Sequence, residues 1–269
     1  MTAPPPLKFR TKLFYGLGTV AFGVKDNGFS YLLLAFYNQV VGLSAPLVGL
    51  AILIAMLVDA MLDPVIGQVS DHWRSRWGRR HPFMYAAALP VALSYLALWN
   101  PPHASHTVLF FYLVGAAIVI RTFISCYEVP SSALAAELSQ GYDERTVLLS
   151  YRYFFGWVGG LFVYVIAFRF LFVPDAHHAI GQTNPVGYSR YGLMAAAIML
   201  AAILASAAGT HDRIPWLRKA PVERKSLPEM GREMLATWNN RSFLFLLLSG
   251  LATSMAAGLS ASMNFYFNT

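Results

Sequence analysis

Residues 47–71 read LVGLAILIAMLVDAMLDPVIGQVSD, and the basic run HWRSRWGRRHP follows at once, over residues 72–82. The stretch is apolar for the length of a membrane-spanning helix, except for Asp59 and Asp63. A carboxylate inside a bilayer is costly, so two on one turn of helix need a reason. The spacing i, i+4 puts both on one helix face. Two carboxylates in a low dielectric repel, and a bound cation or a shared proton relieves that repulsion. Alternatively, each acid pairs with a basic residue such as Lys25, Arg121 or Arg152 and holds helices together.

The rest of the chain agrees with a membrane setting. Of its 269 residues 57% are hydrophobic and 12% are charged. Soluble domains carry about 25% charged residues, so this chain is expected to be an all-α polytopic membrane protein. Apolar spans fall at about 13–40, 47–69, 83–99, 107–130, 147–173, 191–210 and 242–267. The net charge of +7 does not indicate nucleic-acid binding, because Lys and Arg gather at span ends and form no separate basic domain. Most of them lie on one side: Lys8, Arg10 and Lys12, then Arg74 to Arg80, Arg145, and the run from Arg213 to Arg241. The outer loops hold only Arg190, which predicts a cytoplasmic amino terminus in a cell inner (plasma) membrane.

Cys126 is the single cysteine, so no intrachain disulfide is expected. No cleavable signal peptide is expected either, because the first span is too long and too polar in the middle. Residues 211–241 form the longest polar stretch and read as a cytoplasmic linker between two six-helix halves. That divides the chain into a six-helix bundle over 1–210, the linker, and the first helix of a second bundle over 242–269. The sequence then reads as an amino-terminal portion of a longer protein, or as a truncated product, with a missing carboxy-terminal half as a partner. Asn240-Arg241-Ser242 fits a glycosylation sequon but would face the cytoplasm.

GQVSDHWRSRWGRR resembles the major-facilitator signature between the second and third spans, with Gly67, Asp71, Gly78, Arg79 and Arg80 at its marked positions. More specifically, VDAMLDPVIGQVSDHWRSRWGRRHP resembles the second-helix segment of the glycoside–pentoside–hexuronide:cation symporters, the melibiose permease family. YEVPSSALAAEL (127–138), YDERTVLLSYRYFFGWVGG (142–160) and FYGLGTVAFGVKDNG on span one extend the resemblance in order along the chain. It implies that Asp59, Asp63 and Ser125 bind a coupling cation, Na+ or H+. It also implies that Asp26 and Glu128 bind sugar hydroxyls, with Arg152 close to a span-five arginine of that family. Glu128 stands where melibiose permease has an aspartate, and Ser132 where it has a tryptophan.

Arg121, Ser125 and Glu128 fall at i, i+4, i+7, one stripe of a helix that should face the bundle interior or a wet cavity. Arg121 within a cavity suggests an anionic substrate such as a hexuronide. Tyr127 or Trp157 could stack on a sugar face. The internal alternative is an Arg121–Glu128 ion pair. Gly156 and Gly160 form a G-x-x-x-G that allows close helix packing. The adjacent His177 and His178 are weak metal ligands at best. No nucleotide-binding loop, nucleophile elbow or H-E-x-x-H occurs, so no enzyme or cofactor is expected beyond the coupling cation. The expected activity is cation-coupled symport of a glycoside or related sugar, with membrane lipid as solvent. The competing expectations are a lysolipid transporter of the same fold and a truncated, non-transporting membrane protein.

Overall fold

The computed structural model describes residues 5–139, 141–176, 178–217, 232 and 240–267, with side chains in the last helix described to residue 256. The linker expected over 211–241 therefore lies largely outside the described residues, as does His177. The chain divides into two compact units, 1–221 and 222–269.

No strand occurs among the described residues. Among the described residues, five helices are long and apolar enough to cross a membrane: α4 (Ala45–His72), α5 (His81–Leu98), α6 (His106–Leu138), α7 (Tyr142–Ile166, extended by a π-helical turn to Leu171) and α8 (Pro185–Gly209). Local signals start them. Pro46 and Pro82 occupy the first turns of α4 and α5, where a missing N–H costs nothing. Asn184 caps α8 by accepting from the Val186 N–H at 3.0 Å. In the second unit, α9 (Arg241–Phe267) starts at Asn240, whose Oδ1 accepts from Ser242 N–H at 3.0 Å. The sequon asparagine is thus a helix cap.

The first expected span is not one uninterrupted α-helix. It runs as α1 (Phe9–Leu17), α2 (Val20–Asn27), a π turn over Gly28–Leu32, α3 (Leu33–Ala35) and a second π turn over Phe36–Val40. Its glycines explain where it meets its neighbours. A Cβ on Gly23 would stand 1.9 Å from the Gly156 carbonyl oxygen, and one on Gly160 would stand 2.6 Å from the Gly23 oxygen. So α2 and α7 touch backbone to backbone through the G-x-x-x-G face.

In the first unit α4 packs along α6, α5 lies on both α6 and α8, and α1 and α2 lie on α7 and α8. Opposite the basic loop, the bundle closes on buried rings. Trp99 stacks on Tyr188 at 5.8 Å between centroids, and Tyr95 and Tyr191 share a hydroxyl hydrogen bond of 2.9 Å. The Tyr95 hydroxyl also lies 3.2 Å from the Val24 carbonyl oxygen, and the Tyr37 hydroxyl donates to the Leu98 carbonyl at 2.9 Å. The buried hydroxyls of Tyr37, Tyr95 and Tyr191 thereby keep partners inside the bundle.

Gly23→Ala is expected to lower stability in detergent by about 1–3 kcal/mol, because the clash is with backbone and cannot be relieved by a rotamer change. Gly49→Ala meets nothing within 4 Å and should leave stability within about 0.5 kcal/mol. Thermal unfolding followed by circular dichroism checks both.

Candidate functional site

Charged residues within α4, α6 and α7 pair at the α4–α6 and α6–α7 seams. At the first seam Asp59 is fully engaged. The Arg121 guanidinium donates to its Oδ2 at 3.1 Å, and the Ser125 hydroxyl donates to its Oδ1 at 3.1 Å. Arg121 also lies over the Phe29 ring at 5.0 Å, a cation–π contact that holds the side chain across the seam. One turn further along α4, Asp63 differs. Its Oδ1 is buried without a hydrogen-bond partner. Pro64 follows it within the continuous helix and has no N–H to offer the Ala60 carbonyl one turn back. The polar oxygens of this turn therefore exceed the donors the helix supplies.

At the second seam Arg152 of α7 pairs with Glu128 of α6. Arg152 also donates to the Ser131 hydroxyl at 2.9 Å and lies 3.5 Å from the Tyr15 hydroxyl. Its backbone carbonyl accepts from Thr19 at 2.7 Å, which ties α7 to the α1–α2 junction. Glu128 Oε2 remains buried and unpartnered. A cavity of about 450 Å³ opens on this pair, lined by residues that include Asp26, Asn27, Glu128, Ser132, Arg152 and Trp157. Its volume is in the range of small-molecule sites. Asp26 is half exposed there, and its carboxylate lies 3.7 Å from the buried Lys25 ammonium, itself 4.4 Å from the centre of the Phe22 ring.

The stripe expected on α6 therefore divides. Ser125 and Arg121 reach Asp59, whereas Glu128 reaches the cavity. Two expectations need correction. Arg121 does not line the cavity or pair with Glu128; its charge is held by Asp59. Tyr127 is fully buried, with its hydroxyl where a Cβ on Gly18 would stand, so it cannot stack on a cavity ligand. Successive helical residues point about 100° apart, which separates Tyr127 from Glu128. Trp157, the other aromatic candidate, does line the cavity.

The signature residues form a third charged group, joined by one residue that sequence reading missed. Glu137, near the end of α6, is only 3% exposed. It pairs with Arg79 and lies 2.8 Å from Arg80. Asp71 lies 3.6 Å from Arg79 and 3.0 Å from Arg80. Burial lowers the Arg80 pKa against the pull of Glu137 and Asp71, yet a guanidinium does not lose its proton in a protein and the group stays a cation. Gly78 permits the turn with φ +75. Gly67 contacts the Val129 side chain, where a Cβ would still fit at 3.5 Å. The signal for Glu137 was a second acid in the quoted YEVPSSALAAEL. In the loop before α8, His178 pairs with Asp175 at 2.9 Å, and no cluster able to hold a metal occurs among the described residues.

The family model described as MFS/sugar transport protein matches residues 14–269. The chain belongs to this family. A symporter of Synechocystis sp., itself uncharacterized, is 33% identical over 256 residues, which is 92% of this chain and 44% of that protein. A putative glycoside/cation symporter of Escherichia coli is 30% identical over 60% of this chain and 35% of its own length. The isoprimeverose transporter of Lactiplantibacillus pentosus is 26% identical over 80% of this chain and 43% of its own. The chain thus spans less than half the length of these relatives. The apolar helices and the family together make it a multi-pass membrane protein.

Glu137→Gln should destabilise the bundle by about 3 kcal/mol, because it leaves two buried guanidinium groups short of a countercharge. Asp71→Asn should cost much less, since Asp71 is 45% exposed and water screens it. Unfolding midpoints of the two variants in one detergent rank them.

Proposed function

We propose that the protein is a cation-coupled symporter of a neutral sugar or glycoside in the cytoplasmic membrane, with its amino terminus inside. The observation that carries the reading is the cavity bounded by Asp26, Glu128, Arg152 and Trp157, adjoining a helix whose neighbour bears the Asp59–Asp63 pair. Carboxylates accept from several hydroxyls at once, and an indole face suits the apolar face of a sugar ring. Glu128 already neutralises Arg152, and Arg121 is engaged by Asp59, so neither guanidinium stands free for a carboxylate ligand. That favours an uncharged polyol over a hexuronide.

In this reading the coupling-ion site lies at the α4–α6 seam, around Asp59, Asp63 and Ser125, while Asp26, Glu128 and Arg152 receive the sugar. Residues 1–210 act as the first bundle, 211–241 as a cytoplasmic linker and 242–269 as the first helix of a second bundle. A major-facilitator cycle rocks two bundles about a midplane site. The Asp71–Arg79–Arg80–Glu137 cluster would then be one of the contacts that distinguish its states. The relatives named as symporters support coupling but not the choice between Na+ and H+.

Uptake of a panel of radiolabelled neutral glycosides into cells expressing the protein tests this. At least one should accumulate, and collapse of the cation gradients should abolish accumulation. Asp63→Asn should abolish accumulation, and Glu128→Gln should lower it at least tenfold. Equal accumulation by the Asp63→Asn variant, or competition by a lysolipid but by no sugar, would overturn the proposal.

A further inference from the structure

The paired acids of α4 are not equivalent. Both oxygens of Asp59 already accept, one from Arg121 and one from Ser125. Asp63, on the same face, has a buried oxygen with no donor. A guanidinium does not lose its proton in a protein, so its charge is permanent. It is also anchored, because Arg121 lies across the Phe29 ring and is largely buried. An incoming ion at Asp59 would have to displace a charged donor 3.1 Å away in a medium that strengthens the attraction.

We propose that Arg121 is a tethered cation that permanently occupies the Asp59 side of the coupling site, leaving Asp63 as the place where the coupling ion enters. This rests on the cation-coupled reading above and assigns a specificity-determining role within it. Two carboxylates and one guanidinium leave a single negative charge, which one monovalent ion neutralises. A divalent ion would leave an excess charge in a low-dielectric seam and is rejected. The oxygens that remain for the ion are those of Asp63 and the Ala60 carbonyl, which Pro64 deprives of its helical donor. Arg121 positions Asp59 and keeps it from serving the ion; it does not itself touch the ion or the sugar.

Carbodiimide modification tests this whichever monovalent ion is coupled. Dicyclohexylcarbodiimide attacks carboxyl groups in apolar surroundings and spares one held in an ion pair. The protein is treated in detergent, and adducts are mapped by peptide mass spectrometry. Native protein should be labelled at Asp63 at least tenfold faster than at Asp59. Arg121→Ala should bring Asp59 to within about threefold of Asp63. Arg121→Lys, which keeps the charge, should retain protection of Asp59 and serves should the alanine variant fold poorly. Equal labelling of the two acids in the native protein, or an unchanged ratio in Arg121→Ala, would overturn the assignment. Labelling of Asp63 is also followed against Na+, Li+ and Ca2+. Protection by a monovalent ion but not by Ca2+ supports the charge count, and protection by Ca2+ contradicts it. Failure of the coupled reading shows separately, as uptake indifferent to Asp63→Asn while the labelling ratio holds.

Discussion

An ionised group in the apolar interior of this bundle must meet an opposite charge, and the helix arrangement follows from that demand. Arg121 meets Asp59 across the α4–α6 seam. Arg152 meets Glu128 across the α6–α7 seam. Both seams share α6, whose face therefore sets the spacing between the two pairs. What remains unmatched stands out for the same reason. One oxygen of Asp63 and one of Glu128 are buried without donors, and these are the positions where an added cation or a hydroxyl would gain most.

The two ends of the bundle hold these seams in register. At one end Glu137 and Asp71 gather Arg79 and Arg80, fastening the short α4–α5 loop to the end of α6. At the other, rings from α5, α8 and the first span close into a cluster in which Tyr37, Tyr95 and Tyr191 are hydrogen-bonded. Between them α2 and α7 approach through glycines, and the cavity opens where Gly23 and Gly156 leave no side chain to fill it. Backbone contact at one point and a void beside it have one cause, the absence of Cβ atoms along that face.

Much of this is legible in the sequence. The apolar lengths, the α4 acids and the basic loop are local, and each carries its physical reason within one turn or one span. Direction is harder. Tyr127 and Glu128 are adjacent, yet only one reaches the cavity, because helical phase is decided by packing of the whole seam. The partner of Arg121 lies 62 residues away, and spacing along α6 alone suggests Glu128 instead. Glu137 escapes notice because a lone acid near the end of a span resembles a solvated one. The first span is interrupted at Gly18 and Gly28, whose Cβ positions are taken by side chains of α5, α6 and α8, neighbours that residues 13–40 do not announce by themselves.

Under the proposed coupling, a cation on α4 and a sugar in the neighbouring cavity bind as one linked event. Linkage requires each ligand to change the affinity of the other by the same factor. Titrating a transported glycoside into the purified protein in nanodiscs, at fixed pH across a series of Na+ concentrations and at fixed Na+ across a series of pH values, measures that factor. Sugar affinity should rise at least fivefold with one of the two cations, and the gain should vanish in Asp63→Asn. A sugar affinity independent of both Na+ and pH, with sugar still bound in the cavity, would contradict it.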